Sequence, residues 1–299
     1  MSVPAARLAA QAKVNLVLRV GPRNPDGYHE LVTVFARVDL ADDVVVRTLR
    51  SGVTVHVVRD GAPDESVGPP ERNLALRAAR AYMEEARWPT GCAIDIEKRI
   101  PVGAGLGGGS ADAGTVLRAL DSLSPAPLGH ERLTRIAATL GADVPFFVLD
   151  APLALGTGRG DVLEVLPALP SRWLALVQPR FSVSTADAYQ WLDDDAMRAP
   201  ITRRDADRLR DASRHWETLA AVATNDLQHA VAARHPVIES FCDELRRAGA
   251  ALAMMSGSGS AVFGLFADEP DVAAIERACN APVIATRVPA RVVAHLRNE

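Results

Sequence analysis

Pro101-Val102-Gly103-Ala104-Gly105-Leu106-Gly107-Gly108-Gly109-Ser110-Ala111-Asp112-Ala113 is saturated with glycine and lies between two patterned segments. Upstream, Ile94, Ile96 and Ile100 alternate with Asp95, Glu97 and Arg99, the period of a half-buried strand. Lys98 falls on the apolar parity of that strand and needs an explanation. Downstream, Ala113, Val116, Leu117 and Leu120 recur at i, i+3, i+4 and i+7, which predicts a helix with Ser110 as its N-cap. A strand, a glycine loop and a helix thus follow one another. Glycine admits positive φ and close approach to the backbone, and the free N–H groups of a helix start favour an anion. The stretch reads as a phosphate cradle in a nucleotide-binding protein.

The kind of cradle follows by elimination. A Walker loop needs Lys and then Ser or Thr after its last glycine, whereas Ser110 and Ala111 stand here. Gly103, Gly105 and Gly108 satisfy G-x-G-x-x-G, but a dinucleotide fold requires a second strand ending in an acid roughly 20 residues on. That region, Glu131 to Leu140, reads as helix instead. The Val-Ala-Ile-Lys and His-Arg-Asp segments that accompany a protein-kinase glycine loop are missing from the chain. A flexible linker would not be flanked so tightly by patterned elements.

Working outward, Lys13 to Val20, Leu31 to Leu40, Val44 to Arg47 and Val53 to Val58 read as strands, the first two joined by a Gly-Pro-Arg-Asn-Pro-Asp-Gly turn. Residues Arg59 to Arg72 read as an exposed loop, and Asn73 as the cap of a helix reaching about Ala86. A second half begins near Ala151. It opens on the turn Gly156-Thr157-Gly158-Arg159-Gly160-Asp161, with a strand at Trp173 to Val177 and a charged helix over Thr202 to Ala221. Helices then dominate to Gly249, and strands return at Ala261 to Phe266 and Ala281 to Val288. Both halves are therefore expected to be α+β, without an internal repeat.

Composition bounds the function. With 48% hydrophobic and 23% charged residues over 299 positions, the chain can bury a sizeable core and reads as an ordinary soluble enzyme. A net charge of -4 and a pI near 6.0 provide no general field for nucleic acid, so an anionic substrate must be caught locally. Cys92, Cys242 and Cys279 are odd in number and set in apolar-patterned segments, which argues against a disulfide framework or metal cluster and fits a reducing cytoplasm. No apolar run approaches the ~20 residues of a membrane helix, and no export signal is recognisable. The scattered histidines lack the pairing that zinc would need, and His235 before Pro236 reads as structural.

The glycine loop resembles the second motif of the GHMP small-molecule kinases. Ala12-Lys13-Val14-Asn15-Leu16, followed by Pro25-Asp26-Gly27-Tyr28-His29-Glu30-Leu31, resembles the first motif of one branch of that family, which acts on a diphosphocytidyl-methylerythritol alcohol. Met255-Ser256-Gly257-Ser258-Gly259-Ser260-Ala261-Val262-Phe263 resembles the third motif. The resemblance covers essentially the whole chain in the right order. It implies a two-lobed α+β fold, with an N-terminal ATP-binding lobe over residues 1–155, a C-terminal lobe over 156–299 and a site in the cleft between them. It also implies a monomer or weak homodimer that uses ATP and Mg²⁺, with neither nucleic acid nor membrane as partner.

The resemblance assigns roles residue by residue. Asp143, in Gly141-Ala142-Asp143-Val144-Pro145-Phe146-Phe147, becomes the carboxylate that takes or orients the acceptor hydroxyl proton; read alone, such an Asp is more often a turn or cap residue. Lys13 becomes the ammonium beside it. Asn15 lies two residues further along the same strand face, so the two side chains can share one substrate. Pro101 to Ala111 are implied as ATP contacts, with Ser110 as a hydroxyl ligand for Mg²⁺. Tyr28 and His29 are implied to border and read a cytosine, which offers a flat face and a polar edge. Thr185 and Tyr189 are implied as the far wall, with Phe181 as an alternative stacking ring. Mevalonate, homoserine and galactose kinases share the glycine loop, but Asp26-Gly27-Tyr28-His29 after Lys13-x-Asn15 is not expected in them. A non-catalytic RNA-binding module would concentrate basic residues and aromatics, whereas here they are interspersed with acids.

Overall fold

The computed structural model describes residues 4–88, 90–195 and 198–292. Strands β1 (Ala5–Arg23) and β2 (His29–Leu49) pair antiparallel over most of their length and form the spine of a first sheet. The segments Leu31 to Leu40 and Val44 to Arg47 are one strand rather than two. Asp42 and Asp43 lie within the continuous strand, Asp43 held by the Arg7 guanidinium and Asp42 accepting from Lys98 and from the Arg99 and Ile100 amides. Strand β3 (Val53–Arg59) and the short β4 (Ala62–Pro63) follow, then α1 (Leu74–Ala86), which crosses to β5 (Gly91–Glu97) lying parallel to β3. Asn73 caps α1 as the sequence predicts, its side-chain oxygen accepting from the Ala75 amide at 2.8 Å.

Helices α2 (Gly108–Leu123), α3 (His130–Leu140) and α4 (Val144–Val148) come next, followed by β6 (Leu153–Thr157) and β7 (Val162–Val165). The sheet runs β4-β3-β5-β2-β6-β7, with β1 on the opposite edge of β2. Because β6 and β7 both belong to this sheet, we propose that the lobes divide after β7 rather than at residue 155, which falls inside β6.

The second lobe comprises β8 (Arg172–Val177), α5 (Thr185–Asp195), α6 (Arg203–Ala212), α7 (Trp216–Val222), α8 (Asp226–Arg234), α9 (Val237–Arg247), β9 (Leu252–Met255), β10 (Val262–Phe266), α10 (Val272–Cys279) and β11 (Val283–Val288). Its sheet is antiparallel, ordered β11-β8-β10-β9. The single helix expected over Thr202 to Ala221 is two. After Ser213 turns its hydroxyl onto the Leu209 carbonyl, His215 takes an extended backbone and Trp216 donates to the Pro170 carbonyl at 2.7 Å. The run Trp173 to Val177 is apolar throughout because both faces of β8 are covered. Leu174 and Leu176 join the first core, and Ala175 and Val177 the second. The architecture is α+β, as expected.

Candidate active site

Bulges at Gln11/Lys13 and Asn15/Val17 bracket Lys13 and Asn15 on β1 and aim both side chains into the space between the lobes. The Lys13 ammonium is almost fully buried. Its Nζ donates to Asn15 Oδ1 at 2.6 Å and to the Gly105 carbonyl at 2.9 Å, and stands 3.5 Å from Asp143 Oδ2. Asn15 Nδ2 donates to Thr33 Oγ1 at 2.8 Å, which fixes its amide with the oxygen toward Lys13. Lys13 and Asn15 thus share one face of β1, and Asn15 orients the lysine. Asp143 occupies the position before α4, where a cap residue would sit, yet its side chain makes no capping hydrogen bond. The carboxylate is left to face Lys13.

The glycine loop wraps around this pair. Its carbonyl at Leu106 accepts from the Lys13 amide at 3.0 Å, and Ser256 of the third glycine-rich segment donates to the Gly105 carbonyl at 3.1 Å. Gly105 has φ +74°, and a Cβ there would lie 2.2 Å from the Ser256 carbonyl oxygen. Gly107, at φ +72°, passes so close that a Cβ would meet Phe147 at 3.0 Å and Lys13 Cγ at 3.1 Å. Helix α2 begins at Gly108, capped by Gly107, so Ser110 lies within its first turn and is not the N-cap. Left-handed Gly107 turns the chain into the helix earlier than a serine cap would.

Pro101 to Ser110 line a cleft of about 510 Å³ together with Lys13, Asn15, Asp143, Thr185 and Tyr189. Ala111 is the exception: its side chain is fully buried in the core and does not line this cleft. A second cavity of about 850 Å³ continues from the first, sharing Thr185, Tyr189 and Arg159, and is walled by Tyr28, His29 and Asp193. The Tyr189 ring lies 5.1 Å from that of His29. Burial keeps its phenol neutral, with the nearby Asp143 charge adding to the effect. Tyr28 is 54% exposed and has the Arg159 guanidinium 3.6 Å from its ring centre. Phe181 stacks on His235 at 4.1 Å and lines neither cavity.

Asp193 and Arg159 escaped the sequence reading because nothing in helix α5 or in a Gly-Arg-Gly turn marks a wall residue. His29 Nε2 donates to Asp193 Oδ1 at 2.8 Å, and Arg198 donates to the same oxygen at 2.7 Å. Burial works against the Asp193 carboxylate, but these two bonds outweigh it and hold its pKa below the ordinary carboxylate range.

The misplaced parity of Lys98 is also explained. Lys13 and Lys98 are the only lysines among the chain's 33 Lys and Arg residues, and both are buried on the wall of the same cleft. Lys98 Nζ donates to Asp112 Oδ2 at 2.7 Å and to Asp42, tying the end of β5 to β2 and to the start of α2. Two carboxylates thus share one ammonium, and Asp112 Oδ1 has no hydrogen-bond partner. Burial raises the Asp112 pKa; Lys98 opposes and the Asp42 charge adds, with a net rise. The folded protein therefore keeps a proton that the unfolded chain releases above the ordinary carboxylate value, so stability falls as pH rises through that window. Asp112→Asn is expected to flatten this slope, seen as thermal midpoints that decline less than wild type between about pH 5 and 8.

Among the described residues, no group of three or more His, Cys, Asp or Glu is placed to hold a metal ion, and no helix is long and apolar enough to cross a membrane. Residues 73–151 match the GHMP kinases N terminal domain, and residues 197–285 the GHMP kinases C terminal domain. The chain is 45% identical over 267 residues to a 4-diphosphocytidyl-2-C-methyl-D-erythritol kinase of Geobacter metallireducens, spanning 88% of this chain and 90% of that one. It is 40% identical to the kinase of the same name from Moorella thermoacetica, spanning 87% and 90%. A crystal structure of 4-(cytidine 5'-diphospho)-2C-methyl-D-erythritol kinase superposes with a TM-score of 0.74 at 37% identity, covering 96% of this chain and all of the other. Homoserine kinase from Cytophaga hutchinsonii, at a TM-score of 0.73 but 18% identity, shares the fold. Motifs, lobes and relatives agree: the chain belongs to the 4-diphosphocytidyl-2-C-methyl-D-erythritol kinases of the GHMP kinase family.

Proposed function

We propose that this chain is a cytoplasmic enzyme that transfers the γ-phosphoryl group of ATP to the 2-hydroxyl of 4-diphosphocytidyl-2-C-methyl-D-erythritol, a step of the non-mevalonate route to isoprenoid precursors. The observation that carries the reading is the Lys13–Asp143 pair at the foot of the glycine loop, in a cleft that opens directly into a cavity walled by aromatic rings.

The loop amides and the start of α2 receive the ATP phosphates. Asp143 orients the acceptor hydroxyl and takes its proton as the new O–P bond forms and the bond to the leaving ADP breaks, while the Lys13 ammonium 3.5 Å away offsets charge on the transferring group. Tyr28 and Tyr189 border the cytosine, and Thr185 stands where the two cavities join. With His29 Nε2 engaged by Asp193, Nδ1 is the ring nitrogen left to face the exocyclic amine of cytosine. Hard oxygen donors suit Mg²⁺, and the Ser110 hydroxyl and Asp143 carboxylate both line the phosphate end of the cleft. With so few protein oxygens, the ion would be carried largely by the nucleotide, with Ser110 as its protein ligand. Bound there, Mg²⁺ neutralises charge on the phosphate oxygens.

The test is ADP formation by purified protein with Mg²⁺-ATP and, separately, the cytidyl compound, mevalonate, homoserine and galactose, with product mass confirmed. Turnover of the cytidyl compound alone supports the reading. Phosphorylation of another alcohol overturns the pocket assignment, and no turnover with any of them overturns the enzymatic reading. Within the pocket, Asp193→Ala frees the His29 ring and is expected to raise KM for the cytidyl substrate about tenfold, leaving KM for ATP unchanged, in steady-state kinetics.

A further inference from the structure

We propose that Arg37 is a positioning residue for phosphoryl transfer, clamping α4 so that Asp143 at its start is held against Lys13. The inference rests on the kinase reading above.

Arg37 lies on β2, directly opposite Lys13 in the β1–β2 register, and is 2% exposed. Its side-chain bonds all go to main-chain carbonyls at the far end of α4 and just beyond. Nη2 donates to Phe146 at 2.9 Å and Leu149 at 2.8 Å, and Nε to Ala151 at 3.2 Å. The Arg37 amide donates to the Pro152 carbonyl at 2.8 Å. Its guanidinium carbon also sits 5.0 Å from the Phe146 ring centre and 5.4 Å from that of Phe147.

A charge buried this deeply is unfavourable unless its surroundings require it. Burial lowers the Arg37 pKa to about 9, with Arg118 adding to the effect and Asp150 opposing it. What the surroundings gain is a fixed α4. This helix has five residues, too few to be stable alone. Arg37 ties the Phe146 carbonyl within it, and the Leu149 and Ala151 carbonyls of the segment that follows, to the strand pair that carries Lys13. The 3.5 Å gap between Lys13 and Asp143 is thus set by one β1–β2 frame, with Lys13 on one side and the clamped helix on the other. Arginine is suited to the task because its planar fork reaches several carbonyls at once.

The test uses Arg37→Met and Arg37→Lys, with melting curves to establish that each is folded at the assay temperature. Wild-type turnover of the cytidyl substrate is the control, so failure of the kinase reading is distinguished from failure of this inference. Arg37→Met is expected to lower kcat by about 10²-fold with both KM values within about threefold, and Arg37→Lys to recover part of that loss. A spectroscopic readout separates positioning from general loosening. Because Lys13 and Lys98 are the only lysines, ¹³Cε-lysine labelling gives one NMR signal for each. The Lys13 signal is expected to shift in Arg37→Met while the Lys98 signal stays in place. A folded Arg37→Met that keeps wild-type kcat, or one in which both signals move together and KM rises with the loss of kcat, overturns the inference. If Arg37→Met does not fold, Arg37→Lys, which adds a third lysine signal, decides by kinetics alone: reduced kcat at constant KM supports the inference, and unchanged kcat, or a loss that appears in KM, overturns it.

Discussion

Replacing Lys13 with Met lowers kcat by about 10²–10³-fold, measured as single-turnover phosphoryl transfer, while the protein remains folded. The side chains have similar length, so the change removes charge rather than volume. It leaves the Gly105 carbonyl without its ammonium donor and the Asp143 carboxylate without its 3.5 Å partner. These interactions act on charge that develops during transfer, so the loss appears in kcat more than in substrate binding. Arginine does not rescue the site. The ammonium is packed beneath Gly257, where a Cβ would lie 3.2 Å from Nζ, and a guanidinium fork has no room there. A Lys13→Arg variant as active as wild type, or a Lys13→Met variant that loses only substrate affinity, would refute the assignment.

Gly105→Ala is expected to have the second-largest effect. The new Cβ would meet the Ser256 carbonyl oxygen at 2.2 Å and the Gly259 carbonyl oxygen at 3.0 Å. Backbone on both sides cannot yield as a flexible side chain would. The residue also sits at φ +74°, which an alanine adopts only with strain. Together these are expected to destabilise the fold by roughly 2–4 kcal/mol and to raise KM for ATP at least about tenfold, because the phosphate loop and the third glycine segment must part. Gly52→Ala is the matched control. It has a similar φ of +79° but nothing within 4 Å of the added carbon. It carries only the conformational strain, on the order of 1 kcal/mol, and leaves KM unchanged. Chemical denaturation and ATP titration of the two variants separate the clash from the strain.

Local pattern carried far at some positions and failed at others for identifiable reasons. Asn73 was legible as a cap because capping is a contact within three residues. The Lys13 and Asn15 pair was legible because strand parity places them on one face. That β2 runs unbroken through Asp42 and Asp43 was not legible, because their partners, Lys98 and Arg7, are distant in sequence. Strands β7 and β9 went unread because four residues carry too little period to register, and only their neighbours in the two sheets define them. Asp193 and Arg37 were invisible for the same reason: an acid on an exposed-looking helix and an arginine in a strand acquire meaning from what folds against them.

The sequence by itself determined the α+β class, the glycine cradle, the candidates Lys13 and Asp143, and the family, through three motifs in order. The class and the cradle are encoded in residues that are neighbours along the chain, where period, turn chemistry and glycine freedom act directly; the roles of Lys13 and Asp143 came with the resemblance that the three motifs carry. Tertiary structure alone decided that Asp143 makes no cap bond although it stands at the start of a helix, that Lys98 joins two buried acids, and that His29 is oriented by an aspartate 164 residues away. Those outcomes depend on contacts closed between lobes and across sheets. A charged side chain's partner is set by where packing brings it, and burial then makes that partner obligatory.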